Sequence, residues 1–124
     1  MNFPTRLLEQ LDDPARAISV VTDVVGNPTT TRVLTESILA VMQSPPEPGI
    51  YHACCRGAAS KYEWAVAIAE SAGHDASRIQ QVTSDQYPTV ALRPKHVDLD
   101  CTKFLNTKLY ELPTWQQAWD GAHV

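Results

Sequence analysis

Hydrophobic residues in this chain follow two spacings, which predict where helices and strands lie. Apolar residues recur every three or four positions in four segments, as on the buried face of an amphipathic helix. These predicted helices are residues 3–11, 31–43, 60–72 and 115–122. Apolar and β-branched residues instead alternate or cluster in residues 17–22, 50–55 and 79–83, which predicts strands. The order of helices and strands predicts a mixed α/β fold.

Local signals mark the ends of several of these elements. Ser60 and Glu63 have the spacing of a capping box, in which each residue satisfies the other's backbone N–H group at the start of a helix. Thr114 and Gln117 repeat the pattern before the last predicted helix. Three prolines and a glycine in residues 44–49 end the helix that begins near Thr31.

Two neighbouring elements carry more apolar surface than a small domain usually covers. The predicted strand 50–55 is mostly apolar on both faces, which is typical of a strand inside a parallel sheet. The helix before it has a wide apolar stripe, which needs a large partner surface. The residues of this stripe are Leu34, Ile38, Val41 and Met42, with Val33 and Leu39 beside it.

Arg93 stands on a stiff segment that suits phosphate binding. Pro88 and Pro94 fix their own backbone angles and hold the preceding residues in extended conformations. Asp100 follows and can accept backbone N–H groups at the start of a helix. A guanidinium on a rigid loop can grip a phosphate with two parallel hydrogen bonds, and it can equally remain solvated at the surface.

Composition limits the classes of function. The chain has 124 residues, 44% of them hydrophobic and 19% charged, which predicts one globular domain over residues 1–124. A net charge of −4 argues against a nucleic-acid partner. The sequence shows no apolar run of membrane-spanning length and no signal peptide. Its three cysteines are odd in number and lack metal-ligand spacing, so we expect free thiols in a reducing cytoplasm and no metal site.

Four stretches in the same order resemble one enzyme family. Residues 87–104 read Y-P-T-x-A-x-R-P-x-x-V-x-L-D-C-x-K-F, and residues 112–118 read L-P-x-W-x-x-A. Residues 21–29 read V-x-D-x-x-G-x-P-T, and residues 49–65 contain G-I-Y-H and S-x-Y-E-W-A. Together they resemble the C-terminal, substrate-binding part of the dTDP-4-dehydrorhamnose reductases. These enzymes are extended short-chain dehydrogenases that act in dTDP-rhamnose biosynthesis and use NADPH.

The resemblance implies a fold and a set of ligand-binding residues. The expected fold is a small mixed α/β domain of about four helices and three to four short strands, a fragment of the dehydrogenase fold. Arg93 matches an arginine that binds the diphosphate of a nucleotide-sugar, ahead of the helix start at Asp100 and Lys103. The further expected contacts to the nucleotide-sugar are Asn2, Phe3, Gly26, Pro28 and Thr29. Asn2 as a helix cap, Phe3 as a core residue and residues 26–28 as a plain turn are the alternatives. At the position of Val24 the family usually has a glutamine, so the resemblance does not define which sugar is bound.

The catalytic signatures of the family do not occur in this sequence. The five glycines are too far apart for a phosphate-cradling turn, and no tyrosine is followed four residues later by lysine. His52 and Cys54 would share a strand face, but Cys54 is more simply a small buried residue. We therefore expect no catalytic residue, and no cofactor bound by this chain alone.

These observations predict a nucleotide-sugar-binding domain of a truncated reductase relative, inactive by itself. An interaction module that has lost ligand binding is one alternative, and a half-enzyme completed in trans by a dinucleotide-binding partner is another. Because apolar faces are left over, we also expect a homo-oligomer, with strand or helix exchange between copies as one form of it.

Overall fold

A computed structural model describes residues 2–86 and 94–120 of the chain. These residues group into two compact units. The first unit comprises the described parts of residues 1–26 and 59–97, and the second those of residues 27–58 and 98–123. The expectation of one domain over residues 1–124 stays a prediction.

The first unit contains two helices and five short strands. Its elements in chain order are α1 (Phe3–Leu11), β1 (Ile18–Val21), β2 (Val25–Gly26), β3 (Ala59–Ser60), α3 (Lys61–Ser71), β4 (Ile79–Val82) and β5 (His96–Val97). Short 3₁₀ helices, Ala76–Arg78 and Ser84–Gln86, precede and follow β4. The second unit contains α2 (Thr31–Gln43), α4 (Thr102–Leu105) and α5 (Trp115–Asp120). The predicted fold class, a mixed α/β fragment, is confirmed.

Two small sheets organise the first unit. Strands β1 and β4 pair in parallel, with Ile18 opposite Ile79. In the other sheet β2 lies in the middle, antiparallel to β3 and parallel to β5. Helix α3 packs against α1 and β1, and its buried residues Ala65, Ile68 and Ala69 form the centre of this core.

The core of the second unit forms around its C-terminal segment. Phe104, Leu112, Trp115 and Trp119 are buried there. Arg56 connects this segment to the preceding loop, because its backbone N–H donates to Pro113 O at 2.8 Å and its Nε donates to Leu112 O at 2.7 Å. The predicted extension of the last helix to residue 122 lies outside the described residues.

Most predicted helix starts are confirmed. Ser60 and Glu63 form the complete capping box of α3, and Thr114 and Gln117 exchange the same pair of bonds before α5. Helix α2 has its predicted bounds, and its N-cap residue Thr30 accepts from the Val33 N–H.

The predicted strand at residues 50–55 is wrong. Residues 50–55 carry no regular secondary structure, and the described part of the chain offers no strand to pair with them. A strand needs a neighbour for its backbone groups, so an apolar sequence alone does not create one. The loop expected at residues 23–29 instead contains the short strand β2.

Candidate functional site

Two predicted ligand residues, Asn2 and Phe3, lie at the start of α1. Asn2 is the N-cap, and its Oδ1 accepts hydrogen bonds from Thr5 N at 3.0 Å and Thr5 Oγ1 at 2.8 Å. The Phe3 ring centroid lies 5.1 Å from that of Trp64, and the Lys61 ammonium lies 4.9 Å from both. The alternative interpretation of Asn2 as a helix cap is therefore confirmed. Its side-chain oxygen makes the cap bonds, and its side-chain nitrogen takes no part in them.

Gly26 lies in β2, where a larger residue would meet its neighbour. A Cβ atom at this position would come within 3.0 Å of Val97 Cγ2 on β5. The strand is fixed on that side by the Val25 N–H, which donates to Lys95 O at 2.7 Å. Glycine therefore allows the close approach of β2 and β5, which is a packing reason for this residue.

Pro28 and Thr29 belong to the second unit and follow Asn27, whose contacts were not predicted from the sequence. Asn27 Nδ2 donates to Gly57 O at 3.1 Å, and Asn27 Oδ1 accepts from Leu99 N at 2.8 Å. Thr29 Oγ1 donates to Asn27 O at 2.9 Å and accepts from Cys55 N at 3.2 Å. The Asn-Pro pair in the sequence signals a turn, but it carries no sign of these distant partners.

Asp23 forms a cluster of hydrogen bonds and an ion pair in the first unit. Its carboxylate accepts from the Ser84 N–H at 2.8 Å, the Ser84 hydroxyl at 2.6 Å and the Lys95 ammonium at 2.9 Å. The Ser84 hydroxyl, followed by Lys95, lowers the pKa of Asp23 well below its usual value. The carboxylate is thus ionised at neutral pH, and its charge is satisfied within the unit.

Arg93, which is predicted to bind the diphosphate, lies outside the described residues. The helix start that follows it lies within the described residues. There, Asp100 Oδ1 accepts from Thr102 N at 2.8 Å. Lys103 is engaged as well: its Nζ donates to Ile50 O at 3.0 Å and lies 4.4 Å from the centroid of the Tyr51 ring. Asp100 and Lys103 therefore stabilise the second unit locally.

The predicted residues are distributed over both units. Asn2, Phe3 and Gly26 are in the first unit, whereas Pro28 and Thr29 are in the second. A pocket of about 300 Å³ in the second unit is lined by Leu105, Lys108, Tyr110 and Glu111, and includes neither Pro28 nor Thr29. Within residues 2–86 and 94–120, no cluster of three or more His, Cys, Asp and Glu side chains could hold a metal ion.

None of the described helices combines the length and the apolar character needed to cross a membrane.

A comparison with protein-family models identifies the chain as a substrate-binding domain. The model described as "RmlD substrate binding domain" matches residues 1–122. The dTDP-4-dehydrorhamnose reductase of Mycolicibacterium smegmatis is 37% identical to this chain over 106 residues. That alignment covers 86% of this chain and 32% of the reductase. The chain therefore spans about a third of this curated relative.

Solved structures agree in fold. A dTDP-4-dehydrorhamnose reductase from Clostridium acetobutylicum matches with a TM-score of 0.87 and 27% identity, covering 97% of this chain and 42% of that one. The Bacillus anthracis dTDP-4-dehydrorhamnose reductase in complex with NADP matches with a TM-score of 0.86 and 24% identity. This second match covers 95% of this chain and 41% of that one, and shows the fold alone.

Proposed function

Because this chain belongs to the family of RmlD substrate-binding domains, we propose that it binds the nucleotide-sugar substrate of a dTDP-4-dehydrorhamnose-type reductase. The observation that carries this proposal is the family match over residues 1–122. Since the chain spans only 32% of its M. smegmatis relative, reductase activity itself would require the remainder of such an enzyme. All three cysteines are free, which favours a reducing compartment, and we propose the cytoplasm.

We propose that Arg93 binds the diphosphate of the nucleotide-sugar. A guanidinium can donate two parallel N–H bonds to phosphate oxygens, and such charge-assisted bonds are about twice as strong as neutral ones. The backbone of Lys95, two residues later, is held by β2, which also carries Gly26. Asn2, Phe3, Pro28 and Thr29 are proposed to contact the nucleotide or the sugar. A site with one strong ionic contact should bind with a Kd on the order of 1 mM.

The residues of this chain do not fit a nicotinamide-cofactor site. Such a site uses closely spaced glycines that open a helix after a strand. Gly57 and Gly73 have positive φ angles, but each stands alone: Gly73 follows α3, and a Cβ atom at Gly57 would lie 3.5 Å from Trp115 Cδ1. We propose that a cofactor is bound by residues outside this sequence.

Isothermal titration tests the binding proposal. A dTDP-sugar such as dTDP-rhamnose is titrated into the 124-residue chain, into Arg93→Ala and into Arg16→Ala. Arg16 is an exposed arginine and serves as the matched control. Because a hydrogen bond to a charged group contributes about 1.5–3 kcal/mol, Arg93→Ala should weaken binding roughly tenfold or more. Heat that is absent in the wild type, or equal in wild type and Arg93→Ala, would contradict the proposal.

A second candidate, self-association, is favoured by the exposed face of α2. Val33 and Ser37 are buried, whereas Ile38 is 59% exposed and Met42 is 71% exposed. Leu34 and Leu39 on the same helix are also exposed, and so is Ile50. Exposed apolar groups on one helix face favour association, because burying them contributes about 25 cal/mol per Å².

We assign this face to a second copy of the chain, as a homo-oligomer. Ile38→Lys should shift the chain towards the monomer in analytical ultracentrifugation, because it places a charge in the interface. Gln116→Lys adds the same charge at an exposed polar position and should leave the assembly unchanged. A wild-type monomer at high concentration would overturn this assignment. NADPH oxidation with a dTDP-4-keto-sugar as hydride acceptor, gained on mixing with a separately expressed dinucleotide-binding half and lost in Ile38→Lys, would instead assign the face to that partner.

A further inference from the structure

Two thiols in the second unit lie close together and are not used by the proposed function. Cys54 Sγ and Cys101 Sγ are 3.2 Å apart, although 47 positions separate the two residues in the sequence. Both side chains are buried, with 5% of Cys54 and 7% of Cys101 exposed. A disulfide has an S–S distance of about 2.05 Å, so a relative shift of about 1 Å would bring the sulfurs to bonding distance.

Hydrogen bonds hold the chain on both sides of this pair. Next to Cys54, the Cys55 N–H donates to Thr29 Oγ1. Next to Cys101, the Thr102 N–H donates to Asp100 Oδ1. Cys101 Sγ also lies 4.0 Å from Cys54 O. Lys103 Nζ donates to Ile50 O, and Asn27 bonds both Gly57 O and Leu99 N, so the segments that carry the two thiols are tied to each other. Forming a bond between the thiols would therefore need little rearrangement.

We propose that Cys54 and Cys101 are an oxidation site that forms a reversible intramolecular disulfide with a small-molecule disulfide, such as oxidised glutathione, as the oxidant. One cysteine thiolate attacks the oxidant, forms a mixed disulfide and releases one glutathione thiolate. The second cysteine thiolate then attacks the protein sulfur of the mixed disulfide and releases the other. The two cysteines lose two electrons and two protons, and two glutathione thiols are formed.

Burial makes this reaction slow in the folded chain. The pKa of Cys54 is raised to about 12, first by burial and then by its contact with Cys101, so little of it is thiolate at neutral pH. The thiol pool decides whether the pair is oxidised at equilibrium, so it stays reduced in a reducing pool and closes in an oxidising one. Because burial slows the attack, we expect the bond to form fastest while the chain folds.

Refolding in a glutathione redox buffer tests the site without requiring access to the buried sulfurs. The reduced chain is unfolded in urea, refolded in reduced and oxidised glutathione, then denatured, alkylated and digested for mass spectrometry. We expect one cross-linked pair of peptides, in which Cys54 is joined to Cys101 and the neighbouring Cys55 is alkylated. The cross-link closes a long loop, so the oxidised chain should melt about 10 °C higher than the reduced one.

Three variants make the assignment specific. Cys55→Ser should still form the cross-link, whereas Cys54→Ser and Cys101→Ser should not form it. Three alkylated cysteines in the wild type would overturn the proposal. A disulfide to Cys55, or glutathione that remains attached to the protein, would overturn it as well. The results for the wild type and for Cys55→Ser decide the question even if the other two variants fail to fold.

Discussion

The carboxylate of Asp23 bonds to the ammonium group of Lys95 at a distance of 2.9 Å, and so joins the loop after β1 to the residue before β5. The same carboxylate accepts two hydrogen bonds from Ser84, in the 3₁₀ helix after β4. One side chain therefore connects three segments of the first unit that are distant in the sequence. The stability of these connections should depend on its charge.

We expect Asp23→Asn to lower the Tm, and the difference from wild type to depend on pH. The pKa of Asp23 is lower in the folded state than its usual value of 3.8. The contribution of the charge is therefore complete above about pH 4 and is lost as the pH falls through the folded-state pKa. Thermal melts of both proteins should converge on acidification. Asp85→Asn is the control, because Asp85 is 86% exposed and 4.0 Å from Lys95.

The capping box of α3 should contribute measurably to stability. Ser60 Oγ accepts from Glu63 N at 3.1 Å, and Glu63 Oε2 accepts from Ser60 N at 2.7 Å. Because Ser60→Ala leaves the Glu63 N–H without its partner, it should cost about 1 kcal/mol of unfolding free energy in urea titrations. Glu63→Gln keeps an acceptor at the same place and should cost less. Equal losses in the two variants would argue against the reciprocal cap.

The ionisation of Tyr110 should be delayed to about pH 12. Its hydroxyl donates to Glu36 Oε2 at 2.5 Å. Burial, and then the bond to Glu36, raise its pKa to about 12. The neutral phenol is thus favoured in the folded state, a contribution present below pH 10 and lost as the pH rises through the raised value. In ultraviolet titrations, Tyr110→Phe should remove this late ionisation, and Glu36→Gln should move it towards pH 10.

The helices that the sequence predicted correctly are those with local signals. Strands β1 and β4 were predicted from their apolar pattern alone, and they form because they pair with each other. The bounds of α2 follow from an apolar stripe that ends at the prolines after Gln43, and the start of α3 follows from the Ser60–Glu63 spacing. Residues 50–55 lack such a signal: their apolar pattern predicted a strand, but strand formation depends on a partner elsewhere. For the same reason the sequence missed β2, which exists through its pairing with β3 and β5.

The contacts of the residues near the candidate site were harder to predict, because these residues bond to partners that are distant in the sequence. Asn27 reads as part of a turn, yet its side chain bonds Gly57 and Leu99. Thr29 is predicted to contact the nucleotide-sugar, and its hydroxyl bonds within the second unit. The proximity of Cys54 and Cys101 depends on residues far apart in the chain, so spacing in the sequence could not indicate it.

Chemical-shift mapping tests the central claim, nucleotide-sugar binding through the predicted residues, most directly. dTDP-rhamnose is added to the ¹⁵N-labelled chain while the backbone amide signals are recorded. We predict that the signals of Asn2, Phe3, Gly26, Thr29 and Arg93 move in proportion to occupancy. The signals of Gln80 and Gln116, which are exposed and outside the predicted site, should stay in place. An unchanged spectrum at millimolar ligand, or shifts confined to other residues, would contradict the account.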